Sequence, residues 1–356
     1  MPTNIRLQMN ADKRRSKNRC LSVFIGVNRR PNRIASRMLT DALLLLTACL
    51  ASGPLFAQRP SDPALLVPQN APPLDYMAVA DPITLPPGTP MGAPASVAFD
   101  SKGHLWVLNR GSLPVIEFDA NGKFVRGFGE GLFTRTHGLR IDREDNIWVT
   151  DVGAHIVTKF SPQGQALLTL GTKGQPGDWD AASQSHHFNE PNDVIAGRNG
   201  DIFVVQGHTA GKGDPRVLKF DKNGTFIKSW GGRGTEPGQF TVAHGVAIDA
   251  QGLVWVTDRE NQRIQIFDQD GKFVRQLKYS GLPCGLVIGD QYIYMVNGFA
   301  GQLLRLDLNG HVLAAVGKPG KGLGEFGEAH FVAASPKGEI YVADTVNSTL
   351  HKFVKQ

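Results

Sequence analysis

Short apolar runs alternate with polar turns along most of the chain, and from residue 95 onward the same pattern recurs. One copy reads HGLRIDREDNIWVTDVGAHIVTKF, and another reads HGVAIDAQGLVWVTDRENQRIQIF. Each copy contains four short runs rich in β-branched and aromatic residues, separated by Asp-x-x-Gly, Asn-Gly or similar turns. The six copies start at residues 95, 137, 192, 244, 284 and 330. Repeats of about 40–50 residues with four strands each predict an all-β fold, a single six-bladed β-propeller.

The sixth copy contains only three predicted strands, at Phe331–Ser335, Glu339–Ala343 and Thr349–Val354. A fourth, outer strand is missing there, and its absence would leave a sheet edge unpaired. Residues 74–86 precede the first copy and contain one spare strand. We therefore expect this N-terminal segment to complete the sixth blade and to join the two ends of the ring.

The first part of the chain, residues 1–57, has the composition of a targeting leader. Residues 38–57 form a short apolar run behind a basic stretch, which is typical of a secretory signal. Cys49 ends the sequence Leu-Thr-Ala-Cys, which resembles a lipobox, and it would be lipidated if the sequence is used in this way. Alternatively, a general signal peptidase would cut after Ala57. A membrane-anchoring helix is the less favoured alternative. We expect export to the periplasm or the extracellular space, with a lipid anchor at Cys49 as one form of it.

The charge balance also separates the leader from the rest. The chain carries a net charge of +6, but residues 1–57 hold ten Lys/Arg and two acids, which leaves the remainder at −2. A nucleic-acid partner is therefore not expected, and membrane contact is expected only through the lipid anchor. Residues 58–73 are a proline-rich tether, and residues 74–356 are the propeller. We expect the protein to be a monomer. Cys284 is the single cysteine of the propeller, so no internal disulfide is expected there.

Equivalent positions of the repeats should form rings around one end of the central channel, which we call the mouth. The residues at the start of the innermost strands, the inner ring, are Ala95, His137, Asn192, His244, Cys284 and His330. Histidine occupies alternate blades, so the three imidazoles should converge on the axis. Three neutral imidazoles with a fourth position open are typical of catalytic zinc. The alternative, that His-Gly is only a tolerated turn pair, does not explain the alternation.

A second ring lies where the second strand of each blade ends. Its members, the capping ring, are Asn109, Asp151, Gln206, Asp258, Asn297 and Asp344. We expect these side chains to accept hydrogen bonds from backbone N–H groups of the turns. The following Arg110 and Arg259 would project over the mouth and could clamp a substrate carboxylate. For Arg259, an ion pair with Glu260 is the alternative.

Other histidines carry weaker signals. His208 follows the capping ring in the third blade and is a candidate general base, with simple exposure as the alternative. His155 would orient a ligand residue or pack between blades. His186 and His187 belong to the insertion 172–187, which we expect to be a surface loop.

The repeat pattern, with (I/V)-(W/Y)-V-(T/A)-D and R-(I/V)-x-x-F, resembles the NHL repeat over about 260 residues. Four stretches further resemble the lyase domain of peptidylglycine alpha-amidating enzymes: Thr136–Leu139, Trp148–Gly153, Ala243–Gly245 and Asp258–Asn261. That resemblance implies a carbon–nitrogen lyase that cleaves a peptidyl-alpha-hydroxyglycine into an amide and glyoxylate.

The resemblance also implies roles for individual residues. It implies a zinc ion held by His137, His244 and His330, with Arg110 and Arg259 as active-site arginines. Zinc would bind a substrate hydroxyl or water and lower its pKa. Arg110 would hold a carboxylate, and Arg259 would stabilise oxyanion charge.

Three positions depart from the family pattern. An Asp-Gly-Tyr turn with a catalytic tyrosine is replaced by Gln206-Gly207-His208, so His208 would accept the hydroxyl proton. An aspartate that helps to bind a structural calcium is replaced by Phe331, which leaves calcium binding open. A methionine two residues before the third zinc ligand is replaced by Glu328.

Two other function classes compete with a lyase acting on a carboxylate-bearing small molecule or peptide. One is a non-catalytic propeller that binds a peptide or protein at its mouth. The other is a calcium-dependent hydrolase of the lactonase type. Calcium prefers oxygen ligands, so histidine at half of the inner ring argues against the hydrolase.

Overall fold

Within the residues that the computed structural model describes, 59–180 and 185–356, six four-stranded antiparallel sheets follow one another along the chain. The predicted leader, including Cys49 and Ala57, lies outside the described residues. In the described part, no helix is long and apolar enough to cross a membrane. The six sheets confirm the predicted six-bladed β-propeller.

The first three blades are continuous in sequence, and each runs from an innermost to an outermost strand. Blade 1 consists of Pro94–Phe99, Leu105–Asn109, Val115–Phe118 and Phe124–Phe128; blade 2 of Thr136–Ile141, Ile147–Asp151, Ile156–Phe160 and Ala166–Leu170; and blade 3 of Pro191–Ala196, Ile202–Gln206, Arg216–Phe220 and Phe226–Gly231. The second strands are buried throughout, whereas the outermost strands are half-exposed.

Blades 4 and 5 repeat this order, and blade 6 takes its fourth strand from the N-terminal side. Blade 4 consists of Ala243–Ile248, Val254–Asp258, Arg263–Phe267 and Phe273–Lys278; blade 5 of Pro283–Ile288, Ile293–Asn297, Gln302–Leu306 and Val312–Val316; and blade 6 of Ala329–Ala334, Ile340–Asp344, Thr349–Lys355 and Tyr76–Val79. Short 3₁₀ turns occur at Pro63–Leu66, Arg259–Asn261 and Gly298–Ala300.

The ring is closed by the predicted N-terminal strand. Tyr76–Val79 pairs antiparallel with Thr349–Lys355, with Tyr76 opposite Lys355. Tyr76 is buried in a cluster that also contains Phe326 of the blade 5–6 connection and Phe353 of blade 6. Backbone pairing and apolar burial therefore join the two ends of the propeller, as the three-stranded last repeat predicted.

The segment predicted as a tether packs against the propeller instead of standing free. In residues 59–73, the Gln69 N–H donates to Gln302 Oε1 at 2.7 Å, and the Pro72 carbonyl accepts from the Ala315 N–H at 2.9 Å. Leu65 and Leu66 contact the core between blades 5 and 6. The proline content gave no indication of the apolar pair that attaches this segment to the surface.

The insertion 172–187 is also more than a surface loop. Trp179–Asp180 pairs with Ser185–His186 in a short antiparallel ladder. The Trp179 indole is buried, and its centre lies 4.8 Å from both the Phe188 and the Phe220 ring centres. One large aromatic side chain therefore fixes the insertion to the core between blades 2 and 3.

Candidate metal centre and mouth

Every inner-ring residue lies at an irregularity of strand pairing. In blade 1 the register between the first two strands skips from Pro94 to Ser96, and in blade 4 it skips from Ala243 to Gly245. Equivalent skips enclose the inner-ring residue in the other four blades. An extra residue in one strand of an antiparallel pair re-aims its side chain. The bulges therefore explain how a residue inside a strand can point along the channel.

The three histidines of the inner ring meet at the axis. The ring centre of His137 lies 4.8 Å from that of His244 and 4.6 Å from that of His330, and the last two are 5.0 Å apart. Imidazoles bound to one tetrahedral ion at about 2.0–2.1 Å hold their ring centres roughly 5 Å apart. The three ring-centre distances are close to this spacing, whereas the ligand atoms that lie within 4.8 Å of one another are those of His137, His244 and His208.

Backbone carbonyls of the following blade fix the orientation of two of these imidazoles. His137 Nδ1 lies 2.7 Å from the Asn192 carbonyl, and His330 Nδ1 lies 2.7 Å from the Ala95 carbonyl. The Cys284 carbonyl occupies the equivalent place beside His244, but neither ring nitrogen of His244 has a hydrogen-bond partner among the described residues. Because a carbonyl oxygen only accepts, Nδ1 of His137 and His330 carries the proton, and Nε2 of these two rings keeps its lone pair. The buried Nε2 atoms of His137 and His244 have no hydrogen-bond partner among the described residues.

The protonation state of the three histidines also favours metal binding. Burial lowers the pKa of each of the three histidines well below the ordinary value of 6.5. For His137, the neighbouring His330 and His244 lower it further. Neutral imidazoles are the form that binds metal. The orphaned Nε2 atoms of His137 and His244, the neutral state of the imidazoles and the all-nitrogen donor set together fit zinc.

The glycine that follows two of these histidines has a packing reason. A Cβ atom on Gly138 would stand 2.7 Å from the Asn192 carbonyl oxygen, and one on Gly245 would stand 2.7 Å from the Cys284 carbonyl oxygen. The first of those oxygens accepts the hydrogen bond that orients His137, and the second occupies the equivalent place beside His244. The His-Gly pair therefore combines a ligand with the close strand approach that holds it, so a tolerated turn does not explain it.

His208 lies beside the three histidines. Its ring centre is 4.7 Å from that of His137, and its nitrogen lies within 4.8 Å of nitrogens of His137 and His244. Burial lowers its pKa well below the ordinary value, and the neighbouring His137 lowers it further. His208 is buried, so the alternative of simple exposure is wrong. Its neutral ring can accept a proton or bind a metal.

The loop that carries His208 is held by Glu190. The Glu190 carboxylate accepts from the Thr209 N–H at 2.7 Å and from the Thr209 hydroxyl at 2.9 Å. The Glu190 N–H donates to His155 Nδ1 at 3.1 Å. His155 therefore packs between blades 2 and 3, which was one of its two predicted roles. Glu190 contacts both His155 and Thr209, the residue after His208.

The capping ring performs the predicted structural task in all six blades. In blade 2, for example, Asp151 accepts from the backbone N–H groups of Thr134, Arg135, Gly153 and Ala154. The side chains of the other five members accept equivalent backbone bonds. These side chains are therefore committed to the loops that form the mouth.

The two predicted arginines have different surroundings. Arg110 Nε donates to the Thr136 carbonyl at 3.2 Å, beside His137, and no described carboxylate forms an ion pair with it. Burial lowers the pKa of Arg110 to about 10, and the neighbouring Arg135 contributes to the shift. Its cation is therefore retained at neutral pH and is available to an anion.

Arg259 is already paired. Its Nε and Nη2 donate to Glu260 Oε1 at 3.0 and 2.7 Å, which is the alternative that the sequence left open. Burial alone would lower the pKa of Arg259, but the contact with Glu260 raises it above its ordinary value. Arg259 is a permanently charged and restrained cation at the mouth.

Two charged residues of the mouth were missed as candidates. Glu328 is fully buried, accepts from the Thr345 hydroxyl, and places Oε1 3.8 Å from Arg259 Nη1. Burial raises its pKa, against the opposing effect of Arg259. Arg135 has a buried Nε without a described partner. Glu328 was visible only as a departure from the family pattern, and Arg135 carried no signal beyond its position two residues before His137.

Comparisons with known proteins agree with this architecture. The NHL repeat model matches residues 240–267 and 326–353. The chain is 32% identical over 307 residues to a peptidylglycine alpha-amidating monooxygenase of Rattus norvegicus, covering 74% of this chain and 30% of that protein. It is 36% identical over 191 residues to a probable peptidyl-alpha-hydroxyglycine alpha-amidating lyase of Caenorhabditis elegans, covering 48% and 51%. The chain is an NHL-repeat propeller that resembles the amidating lyases.

This NHL-repeat propeller is also similar to a protein named without an activity. It is 33% identical over 189 residues to NHL repeat-containing protein 3 of Mus musculus, covering 50% of this chain and 53% of that protein. The propeller thus spans about half or less of the length of these curated relatives.

Proposed function

We propose that this propeller is an exported, zinc-dependent carbon–nitrogen lyase that cleaves an alpha-hydroxyglycine-type amide and releases glyoxylate. One observation carries the proposal. The ring centres of three buried histidines lie 4.6 to 5.0 Å apart, and the Nε2 atoms of His137 and His244 have no hydrogen-bond partner among the described residues. Such a set suits a zinc ion held by His137, His244 and His330 with a position left for substrate.

The reaction is balanced without water or an oxidant. The substrate hydroxyl loses a proton, its oxygen forms the new C=O bond, and the C–N electron pair leaves with the amide nitrogen, which then takes up a proton. Bound zinc supplies Lewis acidity toward an oxygen. His208 accepts the hydroxyl proton in this proposal, which its neutral ring and its contact with His137 support.

The arginines hold and stabilise negative charge. Arg110 binds the substrate carboxylate, since no described carboxylate forms an ion pair with its guanidinium, which is anchored beside His137. Arg259, fixed by Glu260, stabilises charge that develops on the reacting oxygen. The substrate is therefore a small molecule or peptide that carries a carboxylate. The leader supports export, with Cys49 as a lipid-anchoring site, and we propose a monomer without calcium dependence.

The first test is the metal content of the purified full chain, compared with that of His244→Ala and of His311→Ala. His311 is a matched control because its side chain is 71% exposed and pairs with Asp307 instead of the inner ring. We expect about one zinc per chain in the wild type and in His311→Ala, and loss of zinc in His244→Ala. Glyoxylate release from an alpha-hydroxyglycine amide should follow zinc content. A folded wild type without zinc would overturn the proposal.

His208→Ala separates two roles of His208. As a proton acceptor, it contributes about 10²–10⁴-fold to kcat, so the variant should keep zinc and lose turnover. Loss of zinc in the same variant would identify His208 as a fourth ligand and remove it as the base. Unchanged turnover would exclude both roles.

A non-catalytic binding propeller is the second candidate, and the similarity to NHL repeat-containing protein 3 favours it. In that case Arg110 would hold a peptide carboxylate without chemistry. Zinc-loaded protein that binds an alpha-hydroxyglycine peptide, loses affinity in Arg110→Ala and releases no glyoxylate would select this function.

A further inference from the structure

The channel behind the three histidines is closed by the Phe331 ring. The Phe331 ring stacks on that of His244, with the planes inclined by 24° and the centres 5.7 Å apart. Its centre is 5.7 Å from that of His137 and 5.0 Å from that of His330. The apolar Phe331 ring therefore lies between the histidine cluster and the rest of the channel.

Arg140 lies on the other side of the Phe331 ring from the histidines, and its side chain crosses the channel. Its Cζ is 5.6 Å from the centre of the Phe331 ring. Arg140 Nε and Nη2 contact the two carboxylate oxygens of Asp193 in blade 3 at 3.1 and 2.5 Å. Its Nη2 also donates to the Val246 carbonyl of blade 4 at 3.1 Å, and its Nη1 donates to the Leu286 carbonyl of blade 5 at 3.3 Å. One guanidinium thus joins four blades.

The oxygen atoms that accept hydrogen bonds from this guanidinium are of the kind that bind a hard cation. A carboxylate and two backbone carbonyls from three blades point to one place, and calcium prefers carboxylate and carbonyl oxygens. Here the Arg140 donors use all three groups, and Asp193 Oδ2 accepts in addition from the Val246 N–H at 3.0 Å. The calcium that the family resemblance implies does not fit, because its oxygens are already engaged and Phe331 offers no oxygen.

We propose that Arg140 is the built-in cation of the axial channel and replaces a divalent ion there, so the propeller is stabilised without calcium. The planar fork of arginine matches a carboxylate in a bidentate manner and stays charged when buried. Asp193 is fully buried and Arg140 nearly so, so the pair is shielded from solvent. The inference concerns only the scaffold and does not depend on the proposed lyase activity.

Removal of the guanidinium should expose the oxygen set. Arg140→Ala leaves the buried Asp193 carboxylate and the Val246 and Leu286 carbonyls without their cation. Breaking a buried ion pair in this way is strongly destabilising. A calcium ion can then bind where the guanidinium lay and recover part of the loss. Arg140→Lys keeps a positive charge and should not gain this response.

The test is thermal unfolding of the full chain in resin-treated buffer with and without millimolar calcium, at one constant equivalent of zinc. We expect the wild type to hold no calcium and its Tm to be unaffected by it. Arg140→Ala should unfold roughly 5–15 °C earlier without calcium and should recover part of that shift when calcium is added. Arg126→Ala, which removes the more exposed pair with Glu117, is the control and should show no calcium response.

Two results would overturn the proposal. One is a wild type that retains about one calcium per chain, or whose Tm rises with calcium. The other is a folded Arg140→Ala that is indifferent to calcium. Should Arg140→Ala fail to fold, the calcium content of the wild type and the behaviour of Arg140→Lys decide the question.

Discussion

Two histidines of the inner ring owe their orientation to the backbone. The Nδ1 acceptor is the Asn192 carbonyl for His137 and the Ala95 carbonyl for His330. The Asn192 carbonyl also accepts the Thr150 hydroxyl, and the Cys284 carbonyl accepts the Thr257 hydroxyl. A backbone acceptor moves only if the strand moves. The orientation of His137 and His330 is therefore as rigid as the inner strands themselves.

Gly245→Ala tests the close packing beside His244. The new Cβ would stand 2.7 Å from the Cys284 carbonyl oxygen and 3.0 Å from Thr257 Oγ1. Overpacking at a closely fitted site costs about 1–3 kcal/mol, and displacement of the strand that carries His244 should weaken zinc binding by this residue. Urea unfolding and chelator competition measure the two effects. Gly197→Ala, where the nearest atom is the Asn199 side-chain oxygen at 3.1 Å, should change neither by much.

At the scale of single residues, the sequence predicts the residues that recur at fixed positions of the repeats. It does not predict a side chain that extends across the channel to other blades. The inner histidines and the capping residues recur at fixed positions, so one alignment of the six copies locates them. Arg140 has the ordinary position of an inner-strand residue, and only the fold shows that its side chain spans the channel. The pairing of Arg259 with Glu260 stayed open because two adjacent opposite charges have many other arrangements.

The Asp-x-x-Gly turns connect neighbouring strands by a shared set of hydrogen bonds. In blade 4, Asp249 Oδ1 accepts from the N–H groups of Gln251 and Leu253, and Oδ2 accepts from Trp255 Nε1 at 2.8 Å. The turn at Asp268 in the same blade accepts only two backbone bonds, from Asp270 and Lys272. The first turn therefore fixes a core indole as well as the backbone.

Asp249→Ala should accordingly cost more than Asp268→Ala. Both variants lose two turn bonds, but only the first leaves a buried indole N–H without its acceptor. An additional loss of about 1 kcal/mol in the free energy of unfolding is expected, measured by urea denaturation of the two variants. Equal losses would show that the indole bond adds nothing.

Element boundaries followed the sequence pattern closely where turns are short. The predicted strands of blade 6 differ from Ala329–Ala334, Ile340–Asp344 and Thr349–Lys355 by at most two residues at any end. The insertion 172–187 and the proline-rich segment 59–73 were less predictable. The insertion is attached by Trp179 between blades 2 and 3, and the proline-rich segment by Leu65 and Leu66 against the core between blades 5 and 6. The local sequence pattern contains no information on such tertiary contacts.

The propeller as a whole depends on the strand that closes it. The Tyr76 ring is buried against blades 5 and 6, and its hydroxyl donates to the Gly338 carbonyl at 3.0 Å. Tyr76→Ala should lower the free energy of unfolding by about 3–5 kcal/mol. Met77, the next residue, is 51% exposed, so Met77→Ala should change it by less than about 0.5 kcal/mol.

Urea unfolding followed by tryptophan fluorescence and by circular dichroism measures both variants. Coincident, shifted transitions for Tyr76→Ala would show that the closing strand stabilises the whole ring. A separate early transition confined to one signal would instead mean that the sixth blade unfolds on its own.

The hydrogen bond from His330 to the Ala95 carbonyl joins residues 235 apart in sequence. It lies where the sixth blade meets the first, so one of the three imidazoles is aligned only when the two ends of the chain have come together. Any ion gripped by all three histidines binds the closed ring and not the open one, and its free energy of binding is added to that of closure. A metal ion bound by all three histidines would therefore hold the first and sixth blades together, and a chain whose ends have separated would offer only an incomplete site.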